Sequence, residues 1–436
     1  MSHRVENPLV AIAESQTKDD AQISDQRLLD LGYRPEFRRE MSLFGVLGMS
    51  FCNVGILTGM SSAFQTRLFS GGPLGLFWGW NICCLFMFLV ALSFAEICSS
   101  YPTMGGLYFW VHKMKPDSPM LGFCTGWIYS IAMVFTGTSG SLSVALCIAS
   151  MAEVGSGRTL TRVEIAAIAW GINILSGIIN TVGTKAVGRM SSFNIWWTLG
   201  GTFVLVVTLL VKSPVKVIFT GWESRGFVVL LGFLQAVYTL EGCETAAQVA
   251  EEAKRAELLA PLAVVGSIVG SWLVGLAYML ANVQATTCAI PIVQLFYDAV
   301  GTKLTVMCLV VVGLAQLMAS GVWVSVLVGC IISCAYIGSA VAFNAILSSA
   351  AAAVMPSYLQ PITIRVFWPD SLTEPGPFRL GKWSWVINLF SFLVGSRCCV
   401  SFVLHSHFIV IVTVNWVSWG RRSFSGPVRT YMLERL

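Results

Sequence analysis

Two glutamates follow an apolar stretch of the chain at a spacing that could hold a cation or carry a proton. Residues 226–240 contain no charged side chain, and Glu241, Gly242, Cys243 and Glu244 come directly after them. A carboxylate at the centre of a membrane helix costs about 2.5 kcal/mol or more, so it usually faces protein or a wet cavity. A glycine between the two glutamates lets a helix unwind and present backbone groups to a ligand. Two interpretations stay open: the glutamates end a helix near the lipid headgroups, or they line a substrate cavity.

A second interruption lies in the first hydrophobic segment. Residues 53–59 read Asn-Val-Gly-Ile-Leu-Thr-Gly. Each glycine cluster alone could serve close helix packing, but a pair of glycine-interrupted segments is the best sequence pointer to a transporter site. The N–H groups that begin a half-helix favour a carboxylate, and we expect carbonyls freed at an opposing helix end to favour an ammonium. The pair therefore predicts a site for a zwitterion.

The elements that must position these groups are membrane helices. The chain has 436 residues, is 56% hydrophobic and 11% charged, and has a mean hydropathy of +0.74. Crossing a hydrocarbon core of ~30 Å takes ~20 apolar residues, and the chain contains many such runs, whereas a barrel would show short alternating segments. We predict an all-α polytopic membrane protein. We interpret the net charge of +5 as a signal of orientation, not of nucleic-acid binding.

The residues of metal, cofactor and enzyme chemistry are sparse. The thirteen cysteines include no CxxC pair, so we interpret them as small buried side chains. Among four histidines only His405 and His407 lie close together, and none lies near Glu241 or Glu244 in sequence. We therefore expect no metal, no cofactor and no membrane-embedded enzyme. The absence of a nucleotide-binding loop also argues against an ATP-driven pump.

The chain divides into a membrane domain between two polar ends. Residues 1–40 are polar and mixed in charge, without a visible cleavable signal, and 420–436 are basic. If both ends are cytoplasmic and 41–419 crosses the membrane twelve times, 19 of the 27 Lys and Arg residues lie inside. This bias follows the positive-inside rule and favours an even number of spans. Residues 383–419 are long enough for one full span or for two short ones, so a total of eleven spans is the alternative to twelve.

At these residues the chain resembles the fungal amino-acid/choline/GABA permeases of the amino acid–polyamine–organocation superfamily. The similarity covers most of 32–300 and resumes at about 323–392. Its most specific parts are AEICSSYPTMGGLYFW at 95–110 and TLEGCETAAQVAEE at 239–252. Within the first of these, Glu96 either faces a neighbouring helix or simply ends the second segment.

The resemblance implies two inverted five-helix repeats plus two further helices, with the first and sixth segments broken around the substrate. The backbone at the first break would take the substrate carboxylate, Tyr238 would close over the substrate, and Glu244 would couple transport to a proton. The residues that the resemblance places at the substrate are Asn53, Gly55, Ile56, Leu57, Thr58, Gly59, Tyr238, Thr239, Leu240 and Glu241. The substrate would be an amino acid or a related amine, taken up by proton symport through the plasma membrane.

The sequence also departs from the family. Between Leu304 and Phe343 there is no charged residue and no polar loop, although forty residues make two spans that need a connection. Family members continue after Gly321 into a charged loop and a short helix, whereas this chain proceeds directly to Val322. We expect a deletion at 321/322, from a skipped exon or a mis-joined gene, and a divergent stretch at 393–409.

Alternatives to an amino acid permease follow from the same features. Choline is a quaternary ammonium, which proteins bind with aromatic faces and a nearby negative charge. Tyr238, Phe51 and Glu241 could supply these groups. A nutrient sensor could keep the fold and signal through a tail, although the N-terminal 40 residues carry no distinctive motif. The missing loop also makes a non-transporting truncated product an alternative.

Overall fold

The computed structural model describes residues 24–34, 41–62, 72–181, 184–212, 236–253, 255–285, 323–338, 341–372 and 375–399, with a few isolated positions besides. Within these ranges the long elements are helices, and extended pairing is limited to one isolated bridge between Met41 and Ala253. The predicted all-α class is therefore confirmed for this part of the chain.

The α-helices within these ranges contain most of the described residues. In chain order they are α1 (24–30), α2 (Leu43–Val54), α3 (Ile56–Ser62), α4 (Gly72–Ser100), α5 (Gly106–Met114), α6 (Pro119–Ser156), α7 (Arg162–Thr181), α8 (Thr184–Lys212), α9 (236–240), α10 (Thr245–Gln248), α11 (Ala256–Ala285), α12 (Trp323–Ser333), α13 (Ala335–Gly338), α14 (Val341–Phe367) and α15 (384–399).

Four helices within these ranges are long and apolar enough to cross a membrane. They lie at Phe77–Ser100, Pro119–Ser156, Arg162–Thr181 and Ala256–Leu280. Their mean hydropathies run from 1.5 to 2.3, and α6 extends over 38 residues, more than the ~20 that a hydrocarbon core requires. These spans make the chain a multi-pass membrane protein.

The helices pack so that the two interrupted segments meet inside the bundle. The helix α11 packs along α4 and α2, while α14 packs along α6, which also contacts α7 and α12. The largest fully buried side chains come from α4, α5, α11, α14 and the turn after α4, and they are Trp80, Trp110, Tyr278, Tyr358 and Tyr101. Aromatic side chains thus fill the interior around the polar groups described below.

Glu96 faces a neighbouring helix. Its side chain is 8% exposed, and its carboxylate lies 3.2 Å from the guanidinium of Arg365 on α14. Ser384, at the start of α15, donates to the same carboxylate oxygen, and the N–H of Leu380 donates to the other at 3.3 Å. Of the two positions considered for Glu96, the structure shows the buried pairing, which links α4 to α14 and α15.

The N-terminal segment, residues 24–34 with Arg39, docks on the bundle. The hydroxyl of Ser24 donates to Glu257 on α11 at 2.6 Å. Arg39 pairs with Asp25 at 2.6 Å and donates to the carbonyl of Ala253 at 3.0 Å. The segment is therefore tied to residues 253–257, which link the sixth hydrophobic segment (226–252) to the seventh (261–281).

Several predictions fall outside the described residues. They concern the join at 321/322, most of the eighth hydrophobic segment (303–321), the beginning of the sixth (226–235), the C-terminal residues 420–436, and the pair His405 and His407. The stretch 393–409 is described only as far as 399. That part belongs to α15, where Gly395 packs against Leu359 of α14.

Candidate functional site

The first hydrophobic segment is broken where the sequence predicted. The helix α2 ends at Val54, Gly55 adopts φ 56°, and α3 begins at Ile56. This left-handed conformation is open to glycine at little cost and strained for most other residues. The side chains of Ile56 and Leu57 are buried at 1% and 0% exposure.

The sixth segment is broken between its two glutamates. The helical turn of α9 extends to Glu241, whose N–H bonds the carbonyl of Val237 at 3.0 Å. Gly242 then adopts φ 105°, and the helix resumes at Thr245. The break therefore sits at the glycine, and one glutamate lies on each side of it.

The two breaks are in direct contact. A Cβ atom added to Gly242 would lie 2.8 Å from Nδ2 of Asn53, and one added to Gly59 would lie 3.0 Å from Oγ1 of Thr239. Asn53 also donates from Nδ2 to Oγ1 of Thr245 at 2.7 Å. The glycines thus allow the broken segments to approach to van der Waals distance, and a side-chain hydrogen bond joins them.

Backbone groups that the second break exposes are satisfied by side chains of other helices. The carbonyl of Cys243 accepts from Ser50 of α2 at 3.0 Å. The N–H of Gly242 donates to the hydroxyl of Tyr358 on α14 at 3.0 Å. Because buried backbone groups must be paired, these contacts stabilise the non-helical turn.

Glu244 is buried and fully partnered. It is 1% exposed, and its oxygen Oε1 accepts from the hydroxyl of Tyr129 on α6 at 2.8 Å. Its oxygen Oε2 accepts from Tyr358. Gln248 donates to the Tyr129 hydroxyl at 2.6 Å, so the tyrosine is held on both sides. One carboxylate therefore connects the broken sixth segment to α6 and to α14.

Glu241 is equally buried but only half partnered. It is 3% exposed, and Oε1 accepts from Thr136 of α6 at 2.9 Å. The single hydroxyl proton of Thr136 is shared, since the carbonyl of Ala132 also lies 3.0 Å from that oxygen. Oε2 of Glu241 has no hydrogen-bond partner. The carboxylate is thus left with unused acceptor capacity inside the protein.

Tyr238 is anchored to α6. Its hydroxyl lies 2.6 Å from Oγ of Ser139, and its side chain is 8% exposed. An aromatic ring held by a hydroxyl at its far end can swing only if that bond opens. The contact joins the sixth segment to α6.

Of the expected site residues, the structure brings Asn53 against Gly242, and Gly59 against Thr239. Glu241 contacts Thr136 of α6 instead, and Leu240 is fully buried. Thr58 lies in α3, and its side chain is not among those that the structure describes.

Sequence reasoning missed the partners on α6 and α14. They are Tyr129, Thr136, Ser139 and Tyr358. A signal existed for the two tyrosines, because a buried phenol inside an apolar helix normally finds a hydrogen-bond partner.

Taken together, the site can bind a polar molecule and bind or release a proton. Two carboxylates lie beside a break in a helix that carries no basic side chain between 236 and 253. No cluster of metal-ligating side chains occurs in the part of the chain that the structure describes. The arrangement suits recognition of a small cationic or zwitterionic ligand.

Comparison with known proteins identifies relatives across nearly the whole chain. Residues 41–322 match the model of the family described as "Amino acid permease". Amino-acid permease BAT1 of Arabidopsis thaliana is 26% identical, over 92% of this chain and 96% of the relative. An uncharacterized amino-acid permease of Schizosaccharomyces pombe is 25% identical, over 95% and 92%. Amino-acid permease 2 of Neurospora crassa is 23% identical, over 96% and 92%.

The alignments also reveal gaps in this chain. The alignment with the Arabidopsis protein runs over 494 positions, more than the 436 residues of the chain itself. That relative therefore contains segments for which this chain has no counterpart.

Proposed function

Because the chain belongs to the amino acid permease family, we propose that it is a secondary active transporter for an amino acid or an amino-acid-like amine. The family match covers residues 41–322, and the relatives named as permeases come from fungi and a plant. The chain is a transporter and not an enzyme. Uptake into a fungal cell through the plasma membrane is the specific activity we propose, with GABA and choline among the substrates to be tested.

The observation that carries this proposal is the contact between two broken membrane segments. Gly242 packs on Asn53, and Gly59 packs on Thr239, so the two breaks line one place in the bundle. Irregular backbone at membrane depth is tolerated where it is buried in protein or lines a cavity. We propose that the backbone of 53–59 holds the substrate carboxylate, while Tyr238, Thr239, Leu240 and Glu241 line the rest of the site.

Glu244 is our candidate for proton coupling. Its two oxygens accept from Tyr129 on α6 and from Tyr358 on α14. A proton on this carboxylate would convert one acceptor oxygen into a donor, so the tyrosine on that oxygen would have to accept a hydrogen bond instead of donating it. Protonation would thereby rearrange the contact between the broken segment and a neighbouring helix, which is a direct way to link a proton to a conformational change.

The full architecture is also a proposal. We propose about twelve spans, or eleven, arranged as two inverted five-helix repeats with two additional helices and both termini in the cytoplasm. The described helices and the distribution of Lys and Arg support this arrangement. Labelling of cysteines placed in successive loops, with a membrane-impermeant reagent on intact cells, would give the side of each loop.

We propose that the chain lacks a segment between Gly321 and Val322. The family match ends at residue 322, and the relatives contain segments without a counterpart here. Such a deletion would remove the connection between the eighth and ninth segments. Sequencing the transcript across this position tests the proposal, and a continuous transcript identical to this chain would overturn it.

Transport itself is tested by uptake. Labelled amino acids, GABA and choline would be offered to transport-deficient yeast that expresses the chain, at acidic and at neutral pH. Uptake of one compound that is faster at acidic pH supports proton symport. No uptake, with the protein present at the membrane, would refute transport by this chain, and a version with the missing segment restored would show whether the deletion is the cause.

A further inference from the structure

One oxygen of the buried Glu241 carboxylate has no partner. Oε2 makes no hydrogen bond, and the side chain is 3% exposed. The neighbouring Glu244 has a tyrosine hydroxyl on each oxygen. Since a buried charge is costly unless it is paired and hydrogen-bonded, the half-filled carboxylate of Glu241 is the group that a ligand could complete.

The position of Glu241 separates it from the expected carboxylate site. Thr239 contacts Gly59 of α3, whereas Glu241 contacts Thr136 of α6. The helical turn continues to Glu241, because its N–H bonds Val237. At ~100° per residue, two residues are separated by ~200° around the helix. Glu241 therefore faces away from α3, where the proposed function places the substrate carboxylate.

The unpartnered oxygen of Glu241 lacks a cation among the described side chains. No lysine or arginine pairs with it among the described residues, and the nearest acidic neighbour in sequence is Glu244. Oε2 is the oxygen without a donor, whereas Oε1 already accepts from Thr136. A primary ammonium is a compact donor that can pair with one oxygen, whereas a guanidinium forms its strongest pair with both. A quaternary ammonium has no proton to donate.

We propose that Glu241 is a specificity residue that binds a primary ammonium at the end of the substrate remote from its carboxylate. The preferred substrate class is then amino acids with an ω-ammonium, such as ornithine, lysine or GABA. This inference rests on the proposed function for the identity of the site, and it adds the chemical group that the site selects.

The test compares two ligands that differ only in this group. Ornithine and norleucine have side chains of the same length, and the terminal ammonium of ornithine is replaced by a methyl group in norleucine. The purified full-length chain in detergent is heated with increasing amounts of each amino acid. We expect ornithine to stabilise the protein at concentrations at least tenfold lower than norleucine.

Two variants of Glu241 and one matched control assign the effect. Glu241→Gln should abolish the preference for ornithine, whereas Glu241→Asp keeps the charge and should retain part of it. Glu153→Gln makes the same chemical change at an exposed position of α6 and should leave the preference unchanged. Melting without ligand shows whether each variant is folded.

The outcomes separate this inference from the proposed function. Equal stabilisation of the unmodified chain by ornithine and norleucine, or by neither, would overturn the inference without any variant. A preference that survives in Glu241→Gln would overturn it as well. Uptake of norleucine as fast as that of ornithine would support transport by the chain and would overturn the proposed selectivity for an ω-ammonium. A binding preference in a chain that transports nothing would keep the inference and remove transport.

Discussion

The hydroxyl of Tyr358 touches both sides of the break in the sixth segment. It accepts the N–H of Gly242 at 3.0 Å and donates to the carboxylate of Glu244. A single side chain of α14 therefore holds the non-helical turn and the buried acid at the same time. Any movement of α14 relative to this turn must break a hydrogen bond to one or the other.

Replacement of Tyr358 by phenylalanine should weaken both functions of the hydroxyl. The change leaves a buried N–H and a carboxylate oxygen without a partner, and each such loss costs about 1–3 kcal/mol. We expect a lower melting temperature and uptake reduced by tenfold or more. Tyr108→Phe, at a side chain that is 51% exposed, serves as control and should change neither quantity. Unchanged uptake in Tyr358→Phe would show that the contact is incidental.

Glu244→Gln should remove the dependence of uptake on pH. The amide cannot bind and release a proton, so acidification should no longer accelerate transport, and the remaining uptake should be the same at acidic and neutral pH. The measurement is initial uptake across a pH series, with Glu153→Gln in parallel. A variant that keeps the full response to acid would assign proton coupling to another residue.

Gly242→Ala should disrupt the contact between the breaks. Alanine at φ 105° is strained, by about 1–3 kcal/mol, and its Cβ would lie 2.8 Å from Nδ2 of Asn53. We expect loss of uptake together with lower thermal stability. Gly171→Ala is the matched control, because it lies inside α7 with no atom within 4 Å of the added carbon. There alanine should stabilise the helix by up to about 1 kcal/mol.

Breaking the buried pair between Glu96 and Arg365 should be costly. Both side chains are 8% exposed, and removing one partner leaves an unpaired buried charge, at a cost of about 3–5 kcal/mol. We expect each single variant, Arg365→Met or Glu96→Gln, to lower the unfolding temperature. The decrease in each should exceed half of the decrease in the double variant. The pair of Arg158 and Glu164, 68% and 38% exposed, should be insensitive to the same changes. Similar effects at the two pairs would contradict the argument.

The helix breaks were predictable because glycine adopts positive φ values at little cost. Gly55 and Gly242 lie in hydrophobic segments beside polar residues, and both have positive φ. That two breaks meet follows from the family's fold, which the sequence resembled at two long motifs. Local pattern was therefore enough to locate the two breaks, and the resemblance was needed to place them side by side.

The partners of the buried acids were not predictable in the same way. Tyr129 and Tyr358 lie more than a hundred residues from Glu244 in sequence. Nothing local to either tyrosine indicates which helix it faces, because hydrogen-bond pairing depends on how α6 and α14 pack. The same holds for Glu96, whose partner Arg365 lies 269 residues away in sequence.

The docked N-terminal segment has a consequence for how the protein is made. Arg39 and Ser24 are synthesised early, but their partners Ala253 and Glu257 lie 214 and 233 residues further along the chain. At ~5–20 residues per second, the ribosome needs roughly 11–47 seconds to reach them. The segment therefore emerges without its binding surface and can dock only after the sixth segment and the start of the seventh have been synthesised. Protection of the N-terminal segment from a protease added to arrested nascent chains would mark the chain length at which the first half of the bundle has assembled.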